Sequence, residues 1–150
     1  MHTLKKKVAE TIKKEFQERL QLAVDTLNSA IESRNNDTKS SAGDKYETSR
    51  EMIQQEINSI EKQIFQLKAM LNELQRLPLD ENPTQATSGS LVETDVGLYL
   101  LGLSAGKINV GKQVVYAISL ASPLGKLLLN QKKGESIKFN NSTQTILNVY

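Results

Sequence analysis

The 150-residue chain contains no cysteine, no tryptophan and a single histidine. Without cysteine there is no disulfide framework, no thiolate nucleophile and no zinc–cysteine site. His2 stands alone near one end, and no Ser–His–Asp arrangement can be assembled around it. Aromatic residues make up only 5%, against 24% charged, a balance that suits long solvated helices better than one thick core. No single sign of charge dominates, because the net charge is +2. Residues 1–77 hold 13 Lys and Arg against 12 Asp and Glu, and residues 78–150 hold six against five. Neither part has the excess of a protein that grips nucleic acid mainly through its phosphates, which leaves room only for a weak DNA or RNA contact. Lys5-Lys6-Lys7 and Lys132-Lys133 accordingly read as solvated surface. No apolar run approaches the roughly 18 residues of a membrane span. The opening residues lead into a charged amphipathic helix, not an apolar leader, so the chain reads as soluble and cytoplasmic with no membrane partner. Gly102, Gly106 and Gly111 do not fit a dinucleotide fingerprint and read as turns.

What is present is helical periodicity. Leu4, Val8, Ile12, Phe16, Leu20, Ala23, Leu27 and Ala30 or Ile31 recur in steps of three or four and predict a helix from about Leu4 to Arg34. At about 1.5 Å per residue it would be on the order of 45 Å long. Ile53, Ile57, Ile60, Ile64, Leu67, Leu71 and Leu74 form an unbroken heptad seam, predicting a second helix over Tyr46–Leu77. A lone helix of this kind gains little from burial, and the connection between the two is short, so they should pair as an antiparallel hairpin.

The connection, residues 35–44, is poor in helix formers and ends in Gly43-Asp44-Lys45-Tyr46-Glu47. Two readings of the acids stand side by side. Asp44 three residues before Glu47 resembles a capping box, in which Asp44 accepts from free N–H groups of the new helix. Alternatively, two carboxylates one turn apart at an exposed tip form half of a magnesium site, whose remaining ligands come from water or a partner. Asp37 could add a third acid.

Leu77-Pro78 ends the second helix, since proline removes a donor and restricts the residue before it. Residues 78–87 are polar, with a second proline at 83, and read as a linker. After it come short β-type runs at Leu91-Val92, Leu98–Leu101, Val114–Ile118, Ile137–Phe139 and Thr145–Tyr150, divided by turn residues. Only Pro123 to about Asn130 looks helical, with Leu124, Leu127 and Leu128 on one face. The expected class is α+β: a two-helix coiled-coil hairpin over 1–77, a linker at 78–87, and a small antiparallel-sheet domain with one short helix over 88–150.

Three stretches resemble the bacterial Gre transcript-cleavage factors. Gly43-Asp44-Lys45-Tyr46-Glu47 matches the Gly-Asp-x-x-Glu of the Gre hairpin tip. Ser122-Pro123-Leu124-Gly125-Lys126-Leu127-Leu128, continuing to Gly134-Glu135, is similar to the family's Ser-Pro-(apolar)-Ala-(basic)-Ala-Leu-Leu run. Gly89-Ser90 looks like the opening of its C-terminal domain. The resemblance implies an FKBP-like C-terminal domain and a transcription elongation factor that binds RNA polymerase. The hairpin would enter the secondary channel and stimulate cleavage of backtracked RNA. Asp44 and Glu47 would assist the polymerase's catalytic Mg²⁺, and Ser122 and Pro123 would belong to a docking loop. The chain would then be a monomer and no stand-alone enzyme. It would hold no cofactor by itself and would meet the nascent RNA 3′ end only indirectly.

The chain departs from the pattern at Ala121, where some members carry an acid, and its few aromatics argue against a prolyl-isomerase pocket. Proteins of the same architecture also inhibit polymerase without cleavage, which is the alternative function. A plain coiled-coil scaffold pairing between chains is a third reading, from a different class.

Overall fold

The computed structural model describes the backbone of residues 2–37 and 43–150, and the side chains of residues 2–36 and 47–150. Two long helices come first, α1 (His2–Asp37) and α2 (Gly43–Arg76). Six strands follow, β1 (Leu91–Thr94), β2 (Leu98–Leu101), β3 (Gly106–Val110), β4 (Gln113–Ile118), β5 (Ser136–Phe139) and β6 (Ser142–Val149), with the short α3 (Pro123–Leu128) between β4 and β5. The class is the expected α+β, a helical pair followed by a small sheet with one short helix.

The chain divides into two compact units. The arm is Glu15–Leu71, and the body is Met1–Lys14 with Asn72–Tyr150. In the arm the helices run antiparallel. Ala23 and Ala30 of α1 share one buried cluster with Ile57, Ile60 and Ile64 of α2, flanked by Leu20, Val24, Leu27, Ile31, Ile53 and Leu67. Apart from Val24, these are residues of the two stripes, and fully burying an isoleucine or leucine side chain stabilises by about 1.5–3 kcal/mol. Arg34 Nη1 donates to Gln54 Oε1 at 2.9 Å, fixing the register toward the far end of the pair.

In the body the strands make one sheet in the order β3-β4-β2-β1-β6-β5. It is mixed, not purely antiparallel as expected, because β2 and β4 pair in parallel from Leu98↔Val115 to Leu101↔Ile118. The reason is β3, which is absent from the β-type runs expected from the sequence. It occupies the residues between β2 and β4, lies outside β4 as the edge strand, and returns through the Gly111-Lys112 turn. Gly111 does serve as a turn residue, with φ of 61°, whereas Gly106, with φ of 75°, opens β3 opposite Ala117 and is no turn. Asn140 and Asn141 both adopt positive φ in the two-residue turn of the β5–β6 hairpin, as the primed turns require.

One face of the sheet packs with α3: Val92, Tyr99, Leu101, Leu128, Ile137 and Ile146 form a buried cluster with Ala86. Ala86 falls in the stretch 78–87, yet it is fully buried. Its N–H donates to the Gln131 carbonyl and its own carbonyl accepts from the Asn130 N–H. At the end of α2 the chain turns tightly over the sheet. A side chain at Gly102 (φ 109°) would lie 2.7 Å from Ser88 Oγ, and one at Gly89 (φ 84°) 2.8 Å from the Pro78 carbonyl oxygen.

Lys5 corrects the sequence reading. It is fully buried, not solvated, and its Nζ donates at 3.0 Å to both the Glu81 carbonyl and the Tyr150 main-chain oxygen. Lys5, Val8 and Ile12 share the 3–4 spacing of the stripe, so its stem takes a core position. Lys6, in contrast, is exposed and lies 3.4 Å from Asp80, which His2 also approaches at 3.6 Å.

Candidate functional site

The tip acids belong to the first turn and a half of α2. Because the helix already includes Gly43, Asp44 has helical backbone and does not occupy the N-cap position. The hydrogen bonds of a capping box would be made by the Asp44 side chain, which lies outside the described residues. Positions 44 and 47 remain one turn apart, on neighbouring positions of one helix face. The side chains of Asp44 and Asp37 lie outside the described residues, as do residues 38–42 of the connection. Glu47 is exposed.

Behind Glu47 the helix presents Arg50, Glu51 and Gln54, which line an open groove of about 320 Å³. Gln54 is held at both ends of its amide: its oxygen accepts from Arg34, and its nitrogen donates to Asn58 Oδ1 at 3.0 Å. The Arg34–Gln54 bridge was not foreseen, because two polar residues 20 apart carry no periodic signal. It ties the helices just below the acids. Among the described residues no group of three His, Cys, Asp or Glu gathers closely enough to hold a metal ion. Two carboxylates on one face are hard oxygen donors suited to Mg²⁺, and they would supply only part of its octahedral shell.

The second candidate is the turn before α3. Ser122 is the N-cap: its Oγ accepts from the Gly125 N–H at 3.0 Å and donates to the Ser119 carbonyl at 2.7 Å. The Ser122 N–H in turn donates to Ser119 Oγ at 3.1 Å. Pro123 follows at the first helical position, where its missing N–H costs nothing, and it is exposed together with Ala121. The hydroxyl of Ser122 is thus committed to the turn, and the surface a partner would meet is Ala121, Pro123 and Lys126. Gly125, where the resembling run has alanine, is buried so tightly that a Cβ would fall 2.0 Å from the Ser119 oxygen. The two candidate sites lie in different units, one on the arm and one on the body.

Comparison with known proteins adds little. No family model matches the chain, and no curated protein does. Among solved structures it is similar to one described as the structure of the transcription factor Gfh1, at 21% identity over 93% of this chain and 94% of that one, with a TM-score of 0.39. At that score the likeness carries no weight of its own. No described helix is long and apolar enough to cross a membrane.

Proposed function

We propose that the chain is a cytoplasmic transcription elongation factor that binds RNA polymerase and stimulates cleavage of backtracked RNA. The observation that carries this reading is the pair of acidic positions, 44 and 47, in the first turns of α2 in an antiparallel helical pair, with Glu47 exposed. A helix N-terminus alone would explain such acids by its dipole, but the Gly-Asp-x-x-Glu spacing and the Ser122-Pro123 run point together to the Gre factors.

The chemistry follows from the weakness of the half-site. Two carboxylates hold Mg²⁺ loosely in water, yet they become useful where a polymerase's own carboxylates and the RNA phosphate complete the shell. Phosphodiester hydrolysis with two metals needs one ion to activate water and one to stabilise the leaving oxygen. In this reading Asp44 and Glu47 help retain the second ion and orient the water, while the nuclease activity belongs to the polymerase. The body docks through the exposed turn at Ala121-Pro123, and the protein acts as a monomer.

The test is transcript cleavage in purified backtracked elongation complexes. Parent protein should accelerate cleavage, and Asp44→Ala/Glu47→Ala should abolish the acceleration while still competing with the parent for polymerase. Competition without cleavage by the parent would favour the channel-binding inhibitor of the same architecture. Neither cleavage nor competition, with a concentration-dependent dimer in light scattering, would leave the coiled-coil scaffold.

A further inference from the structure

Among the described residues, Lys5 is the one fully buried charged side chain. Lysine is almost never fully buried without a partner, since removing an ammonium from water is costly. Here the cost is offset by two main-chain acceptors from remote parts of the chain, Glu81 and Tyr150. Their positions define a junction. Glu81 lies in the segment joining α2 to the sheet, and Tyr150 directly follows β6, where its N–H and oxygen are also paired with Leu91. The joining segment is tied to the sheet side at its far end, through the Gln85↔Lys132 bridge and the Ala86–Gln131 and Asn130–Ala86 bonds. In residues 80–83 the Lys5–Glu81 hydrogen bond ties the main chain to the root of α1, and exposed ion pairs from His2 and Lys6 to the Asp80 carboxylate lie beside it.

We infer that Lys5 is a buried clamp: one ammonium gathers the root of α1, the segment 80–84 and the end of β6 into a single cooperative junction. Removing it should release the α1 root locally without unfolding the arm. This inference is independent of any role in transcription. The geometry explains why a lysine fits where the stripe calls for an apolar residue. Its methylene stem continues the apolar row with Val8 and Ile12, and only its tip reaches the two oxygens. An apolar residue of similar length would fill the row but leave both oxygens without that donor.

The absence of cysteine makes a clean test available. Single cysteines are placed at Val8, fully buried in the body, and at Ala23, buried in the arm, and labelling by a thiol reagent is timed under native conditions. Each is compared in the parent background and with Lys5→Met. The clamp requires labelling at position 8 to accelerate roughly tenfold or more, the scale of losing hydrogen bonds to a charged group, while position 23 is unchanged. Lys5→Gln, which keeps one donor, should fall between. Unchanged labelling at position 8 overturns the inference. Equal acceleration at both positions also overturns it, because Lys5 would then support only global stability.

Discussion

In the arm, the buried residues Ala23, Ala30, Ile57, Ile60 and Ile64 recur at three-, four- or seven-residue intervals on two helices, and one seam accounts for the packing. In the body, burial also depends on features that an apolar pattern does not announce: a glycine that admits a close carbonyl, a lysine in an apolar row, and a polar cluster within the sheet. In that cluster Gln144 Oε1 accepts from Thr94 Oγ1 at 2.9 Å and from Tyr99 Oη at 3.3 Å, and all three residues are buried. The arm tolerates exchange between similar apolar side chains, because any residue of the right size satisfies a seam. The body does not, because its irregular contacts each need one residue type. Divided in this way, the chain carries Glu47 on the simpler part and the Ser122-Pro123 turn on the more specified one.

The contrast can be sharpened by substitution. Leu100→Ala, at a fully buried position in the centre of the sheet, should cost about 3–5 kcal/mol, read as a lowered urea midpoint. Ile57→Ala in the seam should cost less, about 2–3 kcal/mol, since a two-helix interface can close partly over the gap. Gly125→Ala adds one methyl group yet should destabilise by about 1–3 kcal/mol, because the Ser119–Ser122 turn must move to admit it. An arm position accepting a methyl as badly would break the comparison. Arg34→Ala, which removes one half-buried hydrogen bond between the helices, should cost only about 0.5–1.5 kcal/mol.

The smallest effects come from alkaline titration of the body. Burial lowers the Lys5 pKa below 10.5, with Asp80 and Glu81 opposing, so the unfolded chain binds the proton more tightly. Stability from this group therefore rises as pH climbs from its lowered folded value toward 10.5. Burial, helped by the Glu93 carboxylate that its hydroxyl approaches at 3.3 Å, raises the Tyr150 pKa above 10.0. That contribution is intact below pH 10.0 and is lost as pH rises through the raised folded value. Tyr150→Phe should flatten the alkaline fall in stability, and Lys5→Met should remove the opposing rise, both read from urea midpoints across that range.

The degree to which the molecule was legible follows the same division. The arm could be read because a 3–4 repeat is a local property, and the members of both stripes lie where the spacing put them. The parallel pairing of β2 with β4 could not be read, because it depends on β3. That strand's Gly-Lys-Ile-Asn-Val places only Ile108 fully in the core and resembles a turn. Lys5 was misread through its neighbours: in Lys5-Lys6-Lys7 composition suggested solvent, while the spacing to Val8 and Ile12 placed it on the apolar stripe. At the candidate sites, the positions of Asp44, Glu47, Ser122 and Pro123 were visible as motifs. The register of α2 and the internal commitment of the Ser122 hydroxyl were not, since both are set by where helices begin.

The central claim is the proposal that Asp44 and Glu47 help complete a shared magnesium site. It is tested most directly by the Mg²⁺ concentration giving half-maximal transcript cleavage in backtracked complexes, measured without the protein, with the parent and with Glu47→Ala. The claim requires the parent to lower that concentration and Glu47→Ala to return it toward the factor-free value. A parent that speeds cleavage with the Mg²⁺ requirement unchanged, or a Glu47→Ala protein indistinguishable from it, would contradict the claim.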